Sequence, residues 1–249
     1  MTSDEMVVDV SQDWASACDV QQRFMQSAAP VDDNLEYAAR CRQMLELGGD
    51  CYDFTPLADH RLAITVGDAS GKGLAAALMI ANVQSSLRTA ALLTGSGGAA
   101  MLRAVNRQVH SSSLTGRYAT VFYGAFDRAT RRLEYVNAGH NPPMVIRRDG
   151  SIAWLETGGA PLGVFPDWNY WQGVAELSSG DLLIAYTDGV TEAVNSAGEE
   201  WGIEGLRKVA SGSASESASE IVRRVYAAMD EFSQGRQMDD ATVVALKVR

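Results

Sequence analysis

Long apolar runs are missing from this chain. No stretch approaches the roughly 18 residues that a membrane-crossing helix needs. The N-terminus, MTSDEMVVDVSQDW, has neither the basic start nor the apolar stretch of a secretory leader. No membrane association is expected, and the expected location is cytoplasmic. Basic residues are scarce as well: 21 Lys and Arg stand against 31 Asp and Glu, for a formal net charge of -10. That balance argues against partners such as nucleic acid or an anionic membrane surface, which need clustered cations. It suits a protein that attracts cations. The 3 cysteines, Cys18, Cys41 and Cys51, are odd in number and none are in CxxC spacing, so neither a disulfide framework nor a zinc-finger site is indicated. The 3 histidines, His60, His110 and His140, are too few and too scattered for most zinc hydrolase sites.

What is present is ordinary globular material. At about 150 residues per domain, 249 residues allow one large domain or two small ones. Residues 11–29 carry Trp14, Ala17, Cys18, Gln21, Phe24, Met25 and Ala28 at helical spacing, and Pro30, Asp32, Asp33 and Asn34 read as a linker. This predicts an N-terminal amphipathic helix and linker over 1–33 and the main domain over 34–249. The apolar stripe either packs on the main domain or pairs with a second chain as a homodimer contact.

Residues 35–47 suggest one or two strands, and Cys51 to Leu57 and Leu62 to Val66 form a hairpin about Ala58-Asp59-His60. A helix follows Gly67-Asp68-Ala69-Ser70-Gly71-Lys72-Gly73, with Leu74, Leu78, Met79, Val83 and Leu87 on one face, and a second covers about 99–110. Residues 118–127, 131–138, 143–148 and 152–155 read as consecutive antiparallel strands, 157–167 as a loop, and 182–186 as a short buried strand. Helices near 202–210 and 217–232 and a strand over 241–248 complete the pattern. Strands and helices come in blocks instead of repeated βαβ units, which favours an α+β fold with antiparallel sheets covered by helices.

The chemistry lies in where the aspartates sit. Asp50, Asp53, Asp68, Asp188, Asp239 and Asp240 all stand at strand ends, where loops present side chains from a rigid base. Asp next to Gly is a common turn pair, and any one of these residues alone reads as turn chemistry. Taken together they offer the oxygen-only ligands that Mg²⁺ and Mn²⁺ prefer. Two such ions about 3.5–4 Å apart lower the pKa of a shared water towards 7 and neutralise phosphoryl oxygens. Gly48-Gly49-Asp50 is not the diguanylate cyclase signature, since Cys51-Tyr52 replaces its Glu-Phe. Ser70-Gly71-Lys72-Gly73 is not a P-loop, since Val66 and Gly73 occupy positions that require Gly and Ser or Thr.

GGDCYDF, VGDASGKGLAAALMIA, YATVFYGAFD, LEYVNAGHNPP, GGAPLGVF, GDLLIAYTDGVTEA and DDATVVALKV occur in this order. Together they resemble the bacterial branch of the metal-dependent protein phosphatases (PPM type), the SpoIIE/RsbU-like branch, from about residue 34 to 249. The resemblance implies a four-layer α-β-β-α sandwich of two antiparallel sheets flanked by helices, with a two-metal site at one edge. It implies Asp50, Asp68, Asp188 and Asp239 as ligands and catalytic residues, with Asp68 bridging two divalent cations, Mn²⁺ or Mg²⁺. The carbonyl of Ala69 would contribute, and Asp240 is the less favoured alternative to Asp239. Asp53 reads as a neighbour supporting the ligands. Ser70 stands where the eukaryotic branch has a histidine proposed as general acid. His140 is a hallmark of the family and reads as a turn residue, Asn106 as a packing or capping residue, and Lys72 as either a phosphate contact or a solvated side chain. The implied activity is that of a serine/threonine phosphoprotein phosphatase, and the implied partner is a phosphorylated protein such as an anti-sigma-factor antagonist. The competing readings are an inactive scaffold of the same fold and a hydrolase of small phosphoesters.

Overall fold

The period-two segments assemble into two sheets. The computed structural model describes residues 10–25, 34–95 and 98–249. In chain order the elements are α1 Val10–Met25, β1 Leu35–Arg42, β2 Asp50–Pro56, β3 Arg61–Ala69, α2 Leu74–Thr94, α3 Ala99–Ser112, β4 Ala119–Asp127 and β5 Arg132–Ala138. There follow β6 Met144–Ile146, β7 Ile152–Trp154, β8 Gly158–Gly159, β9 Gly173–Glu176, β10 Leu182–Tyr186, α4 Asp188–Thr191, α5 Gly202–Gly212, α6 Ala218–Ser233 and β11 Ala241–Val248. One sheet has the order β1-β11-β10-β6-β7 and the other β2-β3-β4-β5-β8, with β9 also paired to β5.

Alternation along each strand creates three apolar layers. Ile64, Val66, Phe122, Leu183, Val244 and Leu246 fill the space between the sheets. Val121, Tyr123 and Val136 face Ile80, Val83, Leu102 and Val105 of α2 and α3. On the far side, Ile184, Val243 and Ala245 pack on Leu206, Ile221, Val225 and Met229 of α5 and α6. The result is the α-β-β-α sandwich. Ser217 caps α6 by accepting a hydrogen bond from the Glu220 N–H at 3.2 Å, so the polar segment before that helix ends in a cap. Among the described residues no helix is long and apolar enough to cross a membrane.

The structure departs from the sequence reading in several places. The four strands expected in sequence over 118–155 form two hairpins in different sheets, β4–β5 in one and β6–β7 in the other. Period-two alternation looks alike in either sheet, so it does not reveal the crossover at residues 139–143. β8 and β9 lie in or beyond the segment read as a Gly- and Pro-rich loop, and both pair with β5. On α2 the buried stripe is Ala76, Met79, Ile80, Val83, Leu87 and Ala91, while Leu74 and Leu78 are exposed beside α1.

The stripe on α1 packs against the main domain. Gln21 is buried, donates through Nε2 to the Gly48 carbonyl at 2.7 Å and accepts the Gly48 N–H at 3.2 Å. The Phe24 carbonyl accepts bonds from Gln84 and Arg88 of α2. One side of α1 thus contacts the main domain within one chain, while Ala17, Val20 and Phe24 still line an open apolar groove with Leu74 and Leu78 of α2. The end of the expected helix and most of the linker lie outside the described residues.

Candidate metal centre

β2 and β3 bring the first two aspartates together. Asp50 pairs with Asp68 in the antiparallel register, and alternation points both to the side that faces the second sheet. Opposite them the ends of β10 and β11 supply two threonines. Thr187 and Thr242 donate their hydroxyls to Asp50 Oδ2 at 2.6 and 2.7 Å. The Thr242 N–H donates to Thr187 Oγ1 at 2.8 Å, which aims the pair. Asp50 is only 1% exposed, so this bracket fixes one oxygen of a carboxylate that burial would otherwise penalise heavily. Sequence reasoning missed both threonines. Their signal is present all the same, since Thr187 immediately precedes Asp188 and Thr242 lies two residues after Asp240, each at the end of an apolar strand.

Asp188 opens α4 immediately after Thr187, and Asp239 and Asp240 precede β11. The crowding of carboxylates raises the pKa of Asp50, Asp68 and Asp188. Burial and the charges of Asp188, Asp239 and Asp240 push Asp68 up to about 8, with Lys72 opposing. Burial, then the charge of Asp68, holds Asp50 well above the ordinary carboxylate range. Burial, then Asp239, raises Asp188, while the Gly189 N–H and Lys72 pull the other way. Glu192, to which the sequence reading gave no role, is also raised, by burial and by Asp188, Glu200 and Asp239.

The two neighbouring aspartates near the C-terminus do different things. Asp240 accepts the Met44 N–H on Oδ1 and the Gly49 N–H on Oδ2, both at 2.6 Å, and so ties down the loop before β2. Asp239 is more open and pairs with the Lys72 ammonium. Gly189 is required beside them, because a Cβ there would lie 2.0 Å from the Asp240 carbonyl oxygen. Asp240→Asn should lower the melting temperature, since an amide presents one oxygen to two N–H groups, that of Gly49 buried and that of Met44 part-buried, and a lost bond at the buried one costs about 1–3 kcal/mol. Asp239→Asn breaks only a half-exposed ion pair and should melt near wild type while binding Mn²⁺ more weakly in a titration. If Asp240→Asn alone weakens Mn²⁺ without loss of stability, this division of labour is wrong.

The remaining sequence candidates fall as follows. Ala69 donates its N–H to the Gly49 carbonyl at 2.9 Å, which ties the Asp68–Ala69 turn to the Asp50 loop. Asp53 faces away from the cluster: three residues from Asp50 on one strand, it points under α2 and accepts Arg88 Nε at 2.6 Å and Nη2 at 2.8 Å. It is a brace for α2, not a neighbour of the other carboxylates, and strand alternation alone was enough to say so. Ser70 is held in place through the Tyr118 backbone, accepting its N–H on Oγ at 3.0 Å. Asn106 bridges the Phe165 carbonyl and the Gly163 N–H, as a packing residue would. His140 is buried, its Nδ1 lies 2.8 Å from Thr120 Oγ1, and burial lowers its pKa to about 4, so it stays neutral.

Among the described residues, no three His, Cys, Asp or Glu side chains stand together at metal-holding distance. Internal partners draw several of them apart: Asp240 goes to backbone N–H groups, Asp50 Oδ2 to the threonines and Asp239 to Lys72. The donor chemistry nevertheless fits a hard divalent cation. The donors are all oxygen, the carboxylates repel one another, and Lys72 offsets that repulsion only in part.

Comparison with known proteins points the same way. The family model described as Stage II sporulation protein E (SpoIIE) matches residues 58–249. A Bacillus subtilis protein named phosphoserine phosphatase RsbU is 27% identical over 232 residues, covering 93% of this chain and 68% of its own length. The crystal structure of the RsbU and RsbW domains of a Mycobacterium tuberculosis protein superposes with a TM-score of 0.74 at 27% identity, over 88% of this chain and 61% of that one. The SiaA PP2C domain of Pseudomonas aeruginosa shares the fold with a TM-score of 0.83 at 21% identity, over 96% and 97% of the two chains.

Proposed function

The chain belongs to the SpoIIE family, and on that premise we propose that it is a metal-dependent serine/threonine phosphoprotein phosphatase. The observation that supports this reading is the pairing of Asp50 with Asp68 across β2 and β3, at the end of the sandwich where the charges of Asp188 and Asp239 bear on Asp68. Asp50, Asp68, Asp188, Asp239 and the Ala69 carbonyl would hold two cations, Mn²⁺ or Mg²⁺. When bound, such ions neutralise phosphoryl oxygens and lower the pKa of water. The chain's own part is positioning. Thr187 and Thr242 hold Asp50 Oδ2 and leave Oδ1 without a hydrogen-bond partner among the described residues. Asp240 holds the loop that carries Asp50.

Residues 34–249 form the phosphatase domain in this reading, and residues 1–33 an N-terminal helix and linker. The substrate is phosphoserine or phosphothreonine on a bacterial signalling protein, such as an anti-sigma-factor antagonist. The name of RsbU as a phosphoserine phosphatase supports that class. The presence of all four motif aspartates speaks against an inactive scaffold. With Mn²⁺ present, kcat/KM on a phosphoserine peptide should exceed that on p-nitrophenyl phosphate at least about tenfold, the equivalent of about 1.4 kcal/mol of added recognition. Equal rates would favour a general phosphoester hydrolase, and no turnover of either would favour the scaffold.

A further inference from the structure

Beside the aspartate cluster lies a groove that the reading above leaves unused. It has a volume of about 480 Å³ and is lined by the last turn of α3, the α3–β4 connection and the segment after β8, among them His110, Leu114, Arg117, Tyr118 and Val164. Arg117 joins this groove to the centre. Its Nη1 donates to the Ser70 carbonyl at 2.7 Å, two residues beyond Asp68. Gly71, at φ +92°, makes the room: a Cβ there would lie 1.8 Å from that nitrogen. Among the described residues no carboxylate pairs with Arg117, so most of its N–H fork is free for an incoming acceptor.

The lining is unusual for this molecule. The chain carries 31 acidic residues, yet none lines the groove. The nearby Asp167 is engaged by Arg103 and Arg107 at 2.9 and 3.1 Å and does not compete for Arg117. The rim is apolar and open, with Leu114 72%, Tyr118 40% and Val164 40% exposed. A cation with free donors, a wall without carboxylates and exposed apolar side chains together complement a polypeptide bearing both acidic and apolar side chains.

Building on the phosphatase reading, we propose that this groove docks the extended segment flanking the phosphorylated residue of a protein substrate, with Arg117 receiving an acidic side chain of that segment. A small phosphoester has no such segment, which supplies the test. Wild type, Arg117→Met, Arg117→Lys and Leu114→Glu are compared with Mn²⁺ on an acidic phosphoserine peptide and on p-nitrophenyl phosphate, and peptide binding is read separately by fluorescence anisotropy. Arg117→Met should raise the peptide KM and weaken binding about tenfold, the loss of one charge-assisted contact. Arg117→Lys should fall between it and wild type. Leu114→Glu, at an exposed position with no packing role, should repel the acidic peptide to a similar extent. For Leu114→Glu, whose exposed side chain does not hold the Ser70 carbonyl, KM for p-nitrophenyl phosphate should not change. If Leu114→Glu alters both substrates equally, or neither, the groove is not a docking site. Should wild type turn over neither substrate, the phosphatase reading fails, and anisotropy still decides the groove: undiminished peptide binding by Arg117→Met and Leu114→Glu would overturn it.

Discussion

Chelation with EDTA should abolish turnover of a phosphoserine peptide, and Mn²⁺ or Mg²⁺ should restore it. The reason lies in the electrostatics of the cluster. Asp68 is pushed up to about 8 by burial and by Asp188, Asp239 and Asp240, and Asp50 and Asp188 are raised in the same direction. Without a divalent cation these carboxylates resist ionising together, whereas with one they are stabilised as anions. The sign for stability follows from linkage. A carboxyl with a folded pKa above its unfolded value binds more protons in the folded state, so its contribution is full below about pH 4 and is lost as the pH rises to about 8. The chelated protein should therefore melt at progressively lower temperature between pH 5 and 8, and Mn²⁺ should raise the melting temperature most at the alkaline end. Rates and melts on one EDTA-treated sample test both points. Full turnover in exhaustively chelated protein would remove the metal mechanism, and a melting temperature that rises with pH over this window would contradict the repulsion.

Replacing Asp68 by Asn should cut turnover on the order of a hundredfold or more, equivalent to about 2.7 kcal/mol of barrier, without unfolding the protein. Asp68 accepts no hydrogen bond among the described residues, and the surrounding carboxylates outweigh Lys72, so the amide removes a repelled charge and leaves no donor orphaned. Chelated Asp68→Asn should melt at or above wild type. Asp188→Asn should behave likewise in rate. Asp53→Asn is the internal control, because it lies on the opposite face of β2 and pairs with Arg88. It should lose about 1–2 kcal/mol of stability, a buried-pair cost discounted for the partly exposed Arg88, and keep turnover within a few fold. Circular dichroism melts and peptide kinetics on the three variants measure both axes. If Asp53→Asn is as inactive as Asp68→Asn, the assignment of faces on β2 is wrong.

Much of this protein was determined by its sequence alone, because the relevant signals are local. Alternation marked the strands from 118 to 155 and at 182–186 and 241–248, helical spacing marked α1 to α3, and motifs in register marked the fold and the acidic strand ends. Side-chain alternation and helical periodicity are set by neighbours a few residues apart, so they can be read without knowing what lies across from them. What lies across was decided by tertiary structure. Only the crossover at 139–143 put β5 and β6 in different sheets, and only the packing of those sheets set Thr187 and Thr242 against Asp50, which is 137 and 192 residues away in the chain. Asp239 and Asp240 are adjacent and chemically identical, yet one meets Lys72 and the other the backbone of Met44 and Gly49. Arg117 meets Ser70 across 47 residues through a gap left by Gly71. Each of these contacts joins segments whose separation along the chain carries no periodic trace, so the side chain's identity is legible in the sequence and its partner is not.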